Sequence, residues 1–185
     1  MPPSDSSNTV ELLNQGQVGI LPTDTLYGLV CRAADEQAVK RLYGLKQRDK
    51  KPGTIIAASI DPLVALGFKA RYLKAVEDYW PGAISIVIPC VDLAYLHQGV
   101  GSVAVRISAD QTLNELIDRV GPLLTTSANL PGQPVAKTLQ EAKAYFGDDV
   151  DFYVDGGDLS ERQPSTIIRI IDDEVTVLRQ GAVKI

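Results

Sequence analysis

The 185-residue sequence has one histidine, His97, and two cysteines, Cys31 and Cys90, about sixty positions apart in apolar surroundings. A zinc site or a Ser-His or Cys-His catalytic pair would rest on that single imidazole, without the usual ligand spacing. The two thiols read as buried residues of a protein from a reducing compartment, here the cytoplasm, rather than as a bridge. No apolar run approaches the roughly 20 residues that cross a bilayer, so no membrane association is expected. The first eight residues, M-P-P-S-D-S-S-N, lack the basic and apolar segments of a secretory signal and are expected to fray through residue 7. Neither a G-x-x-x-x-G-K nor a G-x-G-x-x-G fingerprint occurs.

Hydrophobic residues make up 45% and charged residues 22%, enough for one domain, residues 1–185, with a full core. The net charge of −5 argues against a broad nucleic-acid-coating surface. The positive charge is nevertheless uneven. Lys40, Arg41, Lys46, Arg48, Lys50 and Lys51 are six of the 18 basic residues and fall within twelve positions. An acidic chain with one compact basic segment points to a local anion site. The bland reading is a solvated run at a helix C-terminus, where cations are favoured anyway.

Strand and helix patterns alternate for most of the chain, and the end is strand-rich. Asn8 is expected to cap a first helix and Asp35 a second, through Leu45. Asp61-Pro62 should start a short helix, Arg71 to Tyr79 form another, Asp110 cap one with Leu113, Leu116, Ile117 and Val120 inward, and Thr138 and Glu141 form a capping box. Thr166–Ile171 and Val175–Leu178 read as a hairpin across I-D-D-E. This pattern predicts a mixed α/β (α+β) fold, a single twisted parallel and antiparallel sheet flanked by helices.

Three stretches carry polar groups where apolar strands end. In I-L-P-T-D-T-L-Y-G-L, Pro22 stops a strand and Thr23, Asp24 and Thr25 follow at its tip, either as a mounted site or as an ordinary turn. In L-T-T-S-A-N-L-P-G, hydroxyls and an amide precede Pro131-Gly132, either as a ligand cradle or as a capped strand end. In V-A-V-R-I, Arg106 stands inside an apolar strand and needs a carboxylate, from the protein or from a ligand. Arg179 in V-L-R-Q-G has the same two readings. This inventory of Thr, Ser, Asn, Lys and Arg binds phosphates and small zwitterions and supports nucleotidyl transfer by positioning and charge stabilisation.

Taken in order, P-T-D-T-L-Y-G-L, K-Q-R, W-P-G, V-A-V-R-I, T-S-A-N-L-P-G, P-S-T-I-I and L-R-Q-G resemble the YrdC/TsaC family of threonylcarbamoyl-AMP synthases over essentially the whole chain. Ending just after R-Q-G, the chain is similar to the family's short, single-domain form. The resemblance implies a YrdC-like fold and a nucleotidyltransferase. Its substrates are ATP, L-threonine and bicarbonate or CO2, with Mg²⁺, and its products are threonylcarbamoyl-AMP and pyrophosphate. The product feeds threonylcarbamoyladenosine formation on tRNA with partner proteins. Lys46 and Arg48 are implied as the catalytic cations. Thr25, Arg106, Ser127 and Ser165 would hold threonine. Lys46, Arg48, Lys51, Ser102, Thr125, Asn129 and Arg179 would lie along ATP. Asp49 stands where many relatives have proline, and K-K-P-G follows, so the last contact of that loop falls to Lys51 or a neighbour within residues 50–53. Val135 replaces a small polar residue near the nucleotide. The alternatives are a non-catalytic RNA-binding module of the same fold, and a relative making another carbamoyl-adenylate.

Overall fold

The computed structural model describes residues 3–47 and 49–185, with side chains from residue 7 onward. Arg48, one of the two expected catalytic cations, therefore lies outside the described residues. The helices are α1 (Pro3–Asn14), α2 (Glu36–Leu45), α3 (Asp61–Leu66), α4 (Ala70–Lys74), α5 (Ala94–His97), α6 (Gln111–Val120) and α7 (Leu139–Phe146). The strands are β1 (Gly19–Pro22), β2 (Tyr27–Arg32), β3 (Thr54–Ala57), β4 (Ile84–Pro89), β5 (Ser102–Ile107), β6 (Leu123–Ser127), β7 (Phe152–Tyr153), β8 (Thr166–Ile171) and β9 (Glu174–Arg179). Among the described residues they form one sheet in the order β7-β1-β2-β6-β3-β5-β4-β8-β9. Pairings β1–β7, β3–β5 and β4–β8 are parallel and the others antiparallel, which is the mixed sheet the alternation of elements predicts.

The side-chain period of two decides what each face of this sheet does. On one face Leu29, Cys31, Ile55, Val105, Ile86, Leu124 and Ile168 are fully or almost fully buried in the larger core, with Val39 and Leu42 of α2 and Phe146 of α7. On the other face, Leu21, Val30, Ile56 and Leu123 pack beneath Leu13 of α1 and the Leu113, Leu116, Ile117 and Val120 stripe of α6. That second cover rests on only some positions of β1, β2, β3, β6 and β7: Leu21, Val30, Ile56, Leu123 and Phe152. The other positions of this face include Val87 and Ile167 but are mostly small or polar: Gly28, Thr54, Ser85, Ser102, Ala104, Arg106, Thr125 and Ser127. Strand register sets Gly28 beside Ser127 and Thr54 beside both Thr125 and Ala104. The half-covered face is where a ligand can reach the sheet.

Several local expectations change. The first helix starts at Pro3, so Asn8 lies inside it rather than capping it. Asp61 is the first helical residue after Ile60, not the cap. The helix expected over Arg71–Tyr79 ends at Lys74 and resumes as a 3₁₀ turn, Glu77–Tyr79. Leu73 and Val76 both turn into the core, and the backbone leaves the helical path at Val76, whose φ is −126°. The Thr138 cap is present, accepting from the Glu141 N–H, but the Glu141 carboxylate reaches back to the N–H of Lys137, one residue before the cap. Among the described residues no helix is long and apolar enough to cross a membrane.

Candidate active site

The turn between β1 and β2 is the P-T-D-T segment. It closes on itself: the Thr23 N–H donates to Leu26 O, the Thr23 hydroxyl donates to the same carbonyl at 2.7 Å, and the Thr25 N–H donates to Thr23 Oγ1. Both threonines are buried beside the sheet. The turn forms one wall of a cleft of about 290 Å³ on the half-covered face. Thr25, Arg106, Ser127 and Ser165 line it, as do Lys51, Thr125 and Arg179. Seven residues from six separate segments are thus brought to one space.

Of the other expected residues, the three that are described, Lys46, Asn129 and Ser102, lie apart from the wall. Lys46 is 3% exposed, and its ammonium donates to Ser127 O at 2.9 Å, Asn129 Oδ1 at 2.8 Å and Asn129 O. It ties the end of α2 to the S-A-N loop. Asn129 also stands behind the wall: its Oδ1 accepts from the Ser127 hydroxyl and its amide nitrogen donates to Gln133 O. Ser102 begins β5 on the face of Arg106, paired with Pro89, and is not part of the lining.

Arg106 is 3% exposed and paired with Asp24, Nη2 to Oδ1, at 2.8 Å. The carboxylate that a buried guanidinium requires is therefore supplied by the protein, from the turn 82 residues earlier. The fork is only half used. Arg106 Nε and Asp24 Oδ2 are both buried without a hydrogen-bond partner among the described atoms. Arg106 Nη1 donates to Ser85 Oγ at 3.2 Å, the Ser85 hydroxyl bonds to Ser165 Oγ at 2.9 Å, and Arg179 Nη2 donates to Ser165 Oγ at 3.1 Å and to its carbonyl at 2.7 Å. A continuous chain, Asp24–Arg106–Ser85–Ser165–Arg179, thus joins the two guanidiniums along the floor of the cleft.

Ser85 and Asp24 are the functional residues that sequence reading passed over. Ser85 is fully buried in an apolar strand, and its signal is a lone hydroxyl at the alternate position of I-S-I-V-I. Asp24 was visible at the turn but had no assignable partner.

Two close approaches explain glycines of the motifs. A Cβ on Gly28 would sit 2.5 Å from Thr125 Oγ1, in the space between the turn and β6. A Cβ on Gly181, the glycine of R-Q-G, would sit 2.2 Å from the Pro164 carbonyl oxygen and 2.5 Å from the Ser165 carbonyl carbon. Backbone must move to admit it. We expect Gly181→Ala to displace Ser165, cost about 1–3 kcal/mol of stability, and lower ligand affinity. Thermal unfolding and ligand titration of this variant check both effects.

The thiols take no part in the site. Burial raises Cys31 far above the ordinary thiol range, with the Asp35 charge adding to it, and burial pushes Cys90 up to about 11. Both stay protonated near neutrality and are poor nucleophiles. Among the described residues no group of three His, Cys, Asp or Glu side chains is placed to hold a metal ion.

A mixed sheet with a hydroxyl- and cation-lined cleft on its half-covered face defines a mixed α/β protein with a candidate anion site. The family model Sua5_yciO_yrdC, described as telomere recombination, matches residues 11–181, and the chain belongs to this family. It is 34% identical over 170 residues to the threonylcarbamoyl-AMP synthase of Pseudoalteromonas translucida, covering 85% of this chain and 89% of that protein. Among solved structures, P. abyssi Sua5 complexed with L-threonine is 27% identical with a TM-score of 0.84. That match covers 96% of this chain and 54% of the other, so the chain spans about half the length of that relative. E. coli YciO shares the fold, at 24% identity and a TM-score of 0.82 over 98% of this chain and 91% of that one.

Proposed function

We propose that the protein is an L-threonylcarbamoyladenylate synthase, a nucleotidyltransferase joining L-threonine, bicarbonate or CO2, and ATP. The observation that carries this reading is the Arg106–Ser85–Ser165–Arg179 chain, which places two guanidiniums in one hydroxyl-lined cleft. One suits an amino-acid carboxylate and the other a phosphate. The threonylcarbamoyl-AMP synthase relative and the Sua5 complex with L-threonine support the same assignment.

The chemistry suits a site without a strong base. Threonine's free amine adds to CO2 and loses a proton, giving a carbamate; from bicarbonate, water leaves instead. A carbamate oxygen then attacks the α-phosphorus of ATP, and the P–O bond to pyrophosphate breaks. The nucleophile is already anionic, so the protein's work is to bring two anions together and to spread charge on the leaving group. Arg106 orients threonine through its carboxylate, with Thr25, Ser127 and Ser165 beside it. Lys51, Thr125 and Arg179 lie along the nucleotide, and Lys46 and Asn129 keep the Ser127 loop in place from behind.

Mg²⁺ fits this inventory as an ion carried on the triphosphate, because the lining offers hydroxyls and cations but no carboxylate. Bound there it would neutralise phosphate charge. The product would pass to a tRNA-modifying partner in the cytoplasm, the first step of threonylcarbamoyladenosine formation.

The test is pyrophosphate release from ATP with Mg²⁺, threonine and bicarbonate. Release that requires both threonine and bicarbonate is expected. Release indifferent to threonine contradicts the assignment.

A further inference from the structure

We propose that Gln98, set in place by a clasp built on His97, is a positioning residue for the Lys51–Gly53 arm of the cleft. The inference rests on the functional reading above, in which that arm meets the nucleotide. Residues 94–101 do not line the cleft, so this is a brace acting from outside.

The arm needs holding. It connects α2 to β3 through residues in unfavourable backbone conformations: Gln47 and Lys50 have φ of 46° and 53° without being glycine. The arm Lys51-Pro52-Gly53 has two backbone N–H groups, because proline has none. Both run to the segment 96–98. The Lys51 N–H donates to Gln98 Oε1 at 3.0 Å. The Gly53 N–H donates to Tyr43 Oη at 3.1 Å, and the Tyr43 hydroxyl donates on to Leu96 O at 2.6 Å.

The segment itself is fixed by the imidazole. His97 is 6% exposed, and its Nδ1 accepts the N–H groups of Gly99 and Gly101, each at 3.0 Å. With Nδ1 an acceptor, the hydrogen sits on Nε2, which donates to Val91 O at 3.2 Å. The ring thereby folds the 98–101 turn, in which Gln98 takes a left-handed φ of 50° and presents its amide oxygen to the arm. The chain's one histidine is thus bound into scaffolding, three contacts away from the nucleotide.

The experiment compares the wild type with Gln98→Met, which keeps length but removes the acceptor, and with Tyr43→Phe, which removes the second tie. Amide hydrogen exchange is read at Lys51 and Gly53, with the β3 amides of Ile55 and Ile56 as internal controls for folding. KM for ATP and for threonine are measured separately. In Gln98→Met we expect Lys51 to exchange at least about tenfold faster with β3 unchanged, and KM for ATP to rise about fivefold, as suits one lost hydrogen bond, while KM for threonine stays within about twofold. In Tyr43→Phe the released amide is that of Gly53. An unchanged Lys51 amide overturns the brace, and so does a freed amide with KM for ATP unmoved or both KM values raised alike. A wild type without threonine-dependent turnover overturns the functional reading, and exchange then decides by itself whether Gln98 holds the arm.

Discussion

Arg106→Ala is expected to abolish most threonine-dependent pyrophosphate release while leaving ATP binding nearly intact. Among the described residues the guanidinium is the one buried cation that lines the cleft, and truncating a buried charged contact costs about 2–5 kcal/mol. That corresponds to a rise in KM for threonine of roughly 30-fold to several thousand-fold. Affinity for ATP, which the proposed function assigns to Lys51 and Arg179, should change by less than about threefold on the same scale. Equal loss for both substrates would make Arg106 a structural residue. The substitution also leaves Asp24 unpaired, so the comparison is made at a temperature where the variant is fully folded.

The largest stability effect is expected at Asp24. Its pairing with Arg106 is buried on both sides, with side chains 7% and 3% exposed. Asp24→Ala leaves a guanidinium in the sheet with no counter-charge, and breaking such a pair from one side costs about 3–5 kcal/mol. For a chain of this size each kcal/mol lowers Tm by about 2–4 °C, so a fall of roughly 6–20 °C is expected. In an Arg106→Leu background the same Asp24→Ala change should cost much less, because no stranded cation remains. A double-mutant cycle read by thermal unfolding checks this. Additive losses would mean that the two side chains do not depend on each other.

Much of the cleft was legible before any coordinates because strand alternation is a local property. V-A-V-R-I already says that Arg106 and Ala104 share the face opposite to Val103, Val105 and Ile107. T-T-S says the same of Thr125 and Ser127. The structure adds that these faces are neighbours: β6 lies between β2 and β3, and β5 beyond it, so Gly28 sits beside Ser127 and Thr54 between Thr125 and Ala104, all on the face that carries Arg106. What local pattern could not tell was which partner a buried charge finds. Arg106 asked for a carboxylate, and 82 residues separate it from the one it has. Lys46 poses the same problem: a basic run does not say what its ammonium meets, and here the C-terminal end of α2 abuts the S-A-N loop, where Ser127 O and Asn129 Oδ1 accept from it. Nothing within the segment of Ser85 distinguishes a buried hydroxyl that links Arg106 to Ser165 from one that is merely tolerated.

The most direct measurement of the central claim is a crystal structure of the protein with L-threonine and a non-hydrolysable ATP analogue. The threonine carboxylate is expected on Arg106 and the phosphates beside Lys51 and Arg179, with the amine and the α-phosphorus facing each other across Ser165. Either ligand settling on a different surface, or both present with the chain from Arg106 to Arg179 not between them, would contradict the account.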